Sequence, residues 1–297
     1  MSKSRSRRQL PDKTAVYLMV LPAILLYAIF FVFPVFEGLL WGFYNWQIVS
    51  PTKTFVGLSN LTYLLSNLDF RRALLNTLII TAVFSVAQLV VGFSLAWLAH
   101  KTPRLGDLFL KVALLPFILS FVAIGVMWHW IYDPNFGLIN GVLNFAGLNA
   151  LTTAWTANSQ TALASVILAD IWGGMGLFAI IYSAGLQTIP QSIYDAMKID
   201  ALSELQKIRR VILPYMKDAI SLSLVLAISG SFQIFALVFV LTSSGPGLLT
   251  DVLSTDLYRT AFKDWQAGLA CAIGIFMFLF SMVIVIIQLR LLRGGKE

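Results

Sequence analysis

LQTIPQSIYDAMKIDALSELQKIRRVILPY, residues 186–215, is the polar interval between two long apolar runs. On a helix, Tyr194, Met197, Ala201, Leu205 and Ile208 recur at three- and four-residue spacing and form one apolar face. Pro190 can open that helix, because its missing N–H would lack a partner there anyway, and Pro214 can open the next. A short amphipathic element between apolar spans must bury its face on the membrane surface or on another protein.

The rest of the chain defines that setting. With 58% hydrophobic and 12% charged residues, its 297 residues fall outside the composition of soluble domains. Apolar runs occupy Val16–Phe36, Leu78–Leu98, Val112–Trp130, Ala162–Leu186, Ile220–Leu241 and Ala267–Leu289. A spanning helix needs roughly 20 apolar residues, whereas barrel strands alternate over about ten. The expected fold is therefore all-α, a polytopic membrane protein of six transmembrane helices. The first run is too long for a signal-peptide core, so it is expected to remain as a span. The domain division is a basic tail over residues 1–15 and one six-helix domain over 16–297, with the polar loop at 186–215.

All 21 Lys and Arg lie outside the six runs. Sixteen fall on one side when the loops alternate and five on the other, so the positive-inside rule places both termini and the 186–215 loop in the cytoplasm. Trp41, Tyr44 and Trp46, with Trp128, Trp130 and Tyr132, fit interfacial belts near the expected boundaries.

The sequence carries no catalytic signature. It has no G-x-x-x-x-G-K-[ST] phosphate loop, its single Cys271 permits no internal disulfide, and His100 and His129 lie at opposite ends of their runs. Neither an enzyme nor a metal centre is expected. The one ionisable residue deep within a run is Asp170, in ASVILADIWGGMG. A buried acid at that depth faces a cavity or a partner. Asp170 could accept hydroxyl hydrogen bonds while Trp172 stacks on a sugar face. Gly173, Gly174 and Gly176 permit close helix approach or an opening in the wall. The alternative role for Asp170 is a structural bond between helices. Ser229, Gly230, Ser231 and Gln233 interrupt the fifth run and are candidates for the same pathway, as interhelical bonding is for them; Ser85 and Gln88 are weaker ones.

IYDAMKIDALSELQKIRRVILP resembles the "EAA" loop of permease subunits from binding-protein-dependent ABC importers. Asp195, Ala196 and Met197 stand where that pattern has Glu-Ala-Ala, Asp200 precedes Ala201 where it has glycine, and Leu213-Pro214 closes it. FVGLSNL (55–61), YDPNFGLIN (132–140), AGLQTIP (184–190), LTSSGP (241–246) and LYRTAF (257–262) are similar to the sugar branch, related to maltose and glycerol-3-phosphate permeases. The resemblance implies a type I ABC importer permease fold in the prokaryotic inner membrane. It implies a coupling helix, with Tyr194, Asp195, Ala196, Met197, Asp200, Ala201 and Leu205 as its contacts to a separate ATPase. The apolar face, Ile208 included, would fill a groove in that ATPase. The implied partners are a second, homologous permease chain, two ATPase subunits that bind ATP and Mg, and an external solute-binding protein. That protein would deliver a sugar or polyol and dock on residues 133–162 and 243–265. This chain would hold no cofactor and bind no nucleic acid. Asp170, Trp172, Gly173, Ser229, Gly230 and Gln233 would line the pathway. The competing expectation is an ion- or proton-coupled secondary carrier that uses Asp170 as its relay, and a second is a membrane scaffold that transports nothing.

Overall fold

The computed structural model describes residues 13–50, 52–102, 104–243 and 245–293. Most of the basic tail expected over 1–15 lies outside them. The chain enters through α1 (Lys13–Tyr27) and α2 (Phe33–Trp41), joined by a π turn over Ala28–Val32 into one span, Tyr17–Trp41. A short antiparallel hairpin follows, β1 (Tyr44–Trp46) with β2 (Lys53–Phe55), in which Trp46 faces Lys53. The Lys53 ammonium lies 3.7 Å above the Trp41 ring and 4.2 Å above that of Trp46, so these aromatics cage a cation.

Next come α3 (Ser59–Ser66), α4 (Leu68–Lys101), α5 (Gly106–Ile118), α6 (Phe121–Ile131), α7 (Leu138–Phe145) and α8 (Ala162–Gln187). The polar loop holds α9 (Gln191–Ile199), α10 (Glu204–Gln206) and α11 (Leu213–Tyr215). The chain ends with α12 (Lys217–Phe232), α13 (Ala236–Leu241), α14 (Leu253–Phe262) and α15 (Ala267–Arg293).

Six continuous spans were expected. Among the described residues four helices are long and apolar enough to cross a membrane, and two bent pairs bring the number to six. The third run is broken: α5 and α6 meet at 97°. Pro116 removes one helical hydrogen bond near the end of α5, and the Ser120 hydroxyl accepts the Ala123 N–H at 3.2 Å, capping a new helix. The second bent pair joins Glu204–Tyr215 to Lys217–Phe232 at 77°. The fifth run also breaks at Gln233–Phe235 before resuming as α13. The second span is longer than its apolar run. The Asn67 side chain accepts the N–H groups of Asp69 and Phe70 and starts α4 ten residues before the apolar run begins.

α8 lies at the centre, with its longest interface against α4 and further ones against α5, α6, α12 and α13. Its glycines each serve a different neighbour. A Cβ on Gly174 would lie 2.7 Å from Gln88 Nε2 of α4, one on Gly176 2.1 Å from the Ala113 carbonyl oxygen of α5, and one on Gly173 3.0 Å from Ile124 of α6. Gly173 is thus a packing residue rather than an opening in the wall. In hydrocarbon, where helices gain little from hiding apolar surface from one another, such small residues let backbones meet.

Outside the bundle, polar clips fold the connecting segments. Asn60 donates to the Gly42 and Tyr44 carbonyls at 2.9 and 3.0 Å, pinning the hairpin. Asn140 joins α7 to the next loop through the Thr153 carbonyl and the Trp155 indole N–H. Asn76 donates to the carbonyls of Leu249 and Asp251, fixing the 249–253 segment to α4. Arg259 gathers three carboxylates, Asp251 at 3.2 Å, Asp256 at 2.5 Å and Asp264 at 3.5 Å. Burial pushes the Asp256 carboxyl up to about 6, while Arg259 pulls it the other way.

Two substitutions separate packing glycines from free ones. Gly176→Ala drives a methyl into the α5 backbone and should lower stability by roughly 1–3 kcal/mol. Gly230→Ala meets no atom within 4 Å and should leave the melting temperature unchanged or raise it. Thermal unfolding of both variants in detergent checks this. Arg259→Ala removes the cation shared by the buried Asp251 and Asp256 carboxylates and should cost roughly 3 kcal/mol by the same assay.

Candidate translocation cavity and coupling loop

The breaks in the third and fifth runs, together with α4 and α8, line a cavity of about 400 Å³. Phe84 of α4, Phe117 and Phe121 at the α5–α6 break, Phe178 of α8 and Phe235 at the α12–α13 break supply rings. Asp170, Gly230, Ser231 and Gln233 supply the polar lining. Asp170 is only 4% exposed and makes no hydrogen bond or ion pair with the described residues. Its carboxyl is therefore available to whatever enters. The Ser231 hydroxyl is already committed to the Ala227 carbonyl at 2.7 Å. Gln88, fully buried, donates to the Ile171 carbonyl at 2.9 Å beside Asp170, with its own carbonyl oxygen unpartnered.

Three residues expected with Asp170 lie elsewhere. Trp172 packs edge-on to Trp128, centroids 5.9 Å apart, and lines a separate apolar cavity with Pro116 and Met175. The reason is helical pitch, since residues two apart point roughly 200° from each other. Gly173 faces Ile124, and Ser229 lies outside the cavity lining. The rings available to stack on a ligand are phenylalanines, spread over four helices and the α12–α13 break with no local motif to single them out.

In the polar loop the expected apolar stripe is not one helical face. α9 ends at Ile199, and Ala201 adopts φ +47°. The Leu202 N–H bonds the Met197 carbonyl and the Ala201 N–H bonds that of Lys198, the paired bonds of a Schellman turn. Leu202 and Met197 share the same apolar cluster, as that turn requires. Ser203 and Gln206 then form a capping box that starts α10.

This turn reverses the expected orientation. Met197 is 3% exposed and Ile208 packs with it, Ile212 and Met216 in the chain's own core. The Tyr194 hydroxyl donates to the Leu186 carbonyl at 3.2 Å, and its ring stacks on His100. These residues hold the loop to the bundle, Met197 buried and Tyr194 and Ile208 half-buried. The outward surface is Asp195, Ala196, Lys198, Ile199, Asp200, Ala201 and Leu205, with Ile199 84% and Leu205 73% exposed. Ile199 escaped the sequence reading because it lies off the three-and-four stripe. Asp195 accepts from Lys198 at 3.0 Å and Gln191 at 3.3 Å, and those bonds hold its carboxyl below the usual range.

Residues 88–294 match the family model described as the binding-protein-dependent transport system inner membrane component. The chain belongs to this family. It is 33% identical to the probable ABC transporter permease YurN of Bacillus subtilis, over 96% of this chain and 98% of that one. It is 27% identical to the trehalose/maltose permease MalF of Thermococcus litoralis, over 95% of this chain and 94% of the relative. The fold matches a bacterial ABC transporter for alginate import with a TM-score of 0.84, at 23% identity, covering 96% of this chain and 97% of that one. This chain is accordingly an ABC importer permease subunit, a membrane component of a system that works with a binding protein.

Ala201 occupies a left-handed backbone position where the family pattern has glycine. A Cβ there costs roughly 1–2 kcal/mol. Ala201→Gly should recover about 1 kcal/mol, seen as a higher melting temperature of the purified permease, with α9 unchanged.

Proposed function

We propose that this chain is one of two permease subunits of an ATP-driven saccharide importer, with the Asp170 cavity in its translocation path. The observation that carries the reading is the unpartnered, buried Asp170 carboxyl in a cavity that it lines together with Gln233 and five phenylalanine rings. Ring faces suit the C–H faces of a pyranose, and a carboxylate and an amide accept and donate to its hydroxyls. Relatives named for trehalose/maltose and diacetylchitobiose uptake support this substrate class.

The second permease is a homologous but different chain. Hydrolysis of ATP, with its Mg, belongs to two separate ATPase subunits, and α9 is their docking element on this chain. Ile199 and Leu205 enter the ATPase groove and Asp195 meets a basic rim. Closure of the paired ATPases moves α9, and the permease helices carry that displacement to the cavity, switching its access. The loaded binding protein docks from outside on residues 133–162 and 243–265. The whole lies in a prokaryotic cytoplasmic membrane, residues 16–297 forming the permease domain, with the basic tail, both termini and the loop inside.

The test uses the importer assembled from membranes that express all its subunits. Ile199→Asp and Asp195→Lys should each cut ATPase co-purification at least tenfold while the permease still inserts. Asp170→Asn should leave assembly intact and reduce saccharide uptake at least tenfold, with uptake still requiring ATP. ATP-independent uptake abolished by Asp170→Asn would instead establish a proton-coupled carrier, and full assembly in both loop variants would remove α9 from docking.

A further inference from the structure

Four aromatic rings connect the cytoplasmic end of α4 to the coupling loop. Phe93 and Trp97 lie parallel with centroids 6.3 Å apart and 9° between planes; Trp97 and His100 follow at 5.7 Å and 18°. His100 then stacks on Tyr194 of α9 at 5.1 Å and 27°. Phe93, Trp97 and His100 share one face of α4 by their four- and three-residue spacing. Beside this column Lys101 lies 5.0 Å over the Trp97 ring and pairs with Glu204 of α10, which also binds Lys207 at 3.0 Å. Both ammonium groups hold the Glu204 carboxyl below its ordinary range.

α4 has no covalent link to the loop, and the aromatic column and the Lys101–Glu204 pair are direct contacts between the two. The helices that are linked to the loop change direction where they leave it. α8 ends before the Pro190 turn, and α12 starts past a 77° bend. α4 is unbroken from Leu68 to Lys101. Twelve residues above His100, about 18 Å along the axis, it carries Gln88, bonded to the Ile171 carbonyl next to Asp170. Phe84, one turn further, lines the cavity itself.

We infer that α4 is the rod that carries signals between the docking loop and the cavity, and that His100 is the positioning residue that clamps it to α9. The His100–Tyr194 stack and the Lys101–Glu204 pair are the two grips. The inference rests on α9 being the ATPase docking element.

The experiment measures ATP hydrolysis by the reconstituted importer, with and without the binding protein carrying the saccharide it was purified with. His100→Ala should assemble with the ATPase and keep basal hydrolysis within twofold, while stimulation by the loaded binding protein falls at least fivefold. His100→Phe keeps a stacking ring and should restore stimulation to within twofold of the parent. Lys101→Glu should impair stimulation, and pairing it with Glu204→Lys should recover at least half. Full stimulation in His100→Ala, or equal loss in His100→Ala and His100→Phe, overturns the role of the stack. If His100→Ala does not assemble, the charge swap decides, and full stimulation in Lys101→Glu or no recovery in the swap overturns the inference. A parent chain that captures no ATPase at all removes instead the docking reading beneath it.

Discussion

The structure depends on how closely the backbone of α8 can approach its neighbours. At Gly176 a single methyl would occupy the space of an α5 carbonyl oxygen. At Gly174 it would displace the Gln88 amide, whose bond to the Ile171 carbonyl joins α4 to α8 within the bundle. With lipid outside, contact and hydrogen bonding rather than water exclusion hold helices together, so these close approaches decide where α4, α5 and α6 stand. Their positions in turn leave a cavity beside Asp170 rather than a filled interface. One set of small residues thus serves both cohesion and the opening.

Hydropathy made the spans legible because run length alone reports burial in hydrocarbon. It could not show the two breaks, since a broken and a straight helix can carry the same apolar total. Their local causes were nevertheless present. Ser120 is a helix cap three residues before the N–H that it accepts, and Pro116 precedes it. Gln233 ends α12 at the polar interruption that marked the fifth run as unusual. The cavity was only half legible. Asp170 stood out by its charge, Gly230 and Gln233 by their polarity, but the phenylalanines around them look like any membrane-facing ring. Trp172, chosen for its chemistry, points away because two residues along a helix is nearly half a turn.

The polar loop shows a different limit. A periodic stripe assumes an unbroken helix, and the left-handed turn at Ala201 ends that assumption after nine residues of α9. Ser203 and Gln206 spell the capping box that restarts the chain. Once the turn is in place, Met197 and Ile208 of the apolar face belong to the permease's own core, while Ala201 and Leu205 face outward. The residues left for a partner are then the charged ones with Ile199 and Leu205. A position where the family pattern keeps glycine is therefore informative even when occupied by alanine, because the backbone retains the conformation and the side chain bears the strain.

The surface proposed to meet an ATPase is Asp195 and Ile199 of α9 with Leu205 of α10, not the Met197 and Ile208 side of the apolar stripe. A cryo-electron microscopy structure of the complex purified from native membranes through a tag on this chain tests it most directly. The expected result is an ATPase groove occupied by Ile199 and Leu205, with Asp195 at a basic rim and Met197 still packed on Ile212 and Met216. An α9 that lies against lipid without a protein partner, or one whose Met197 has turned out into the groove, would contradict it.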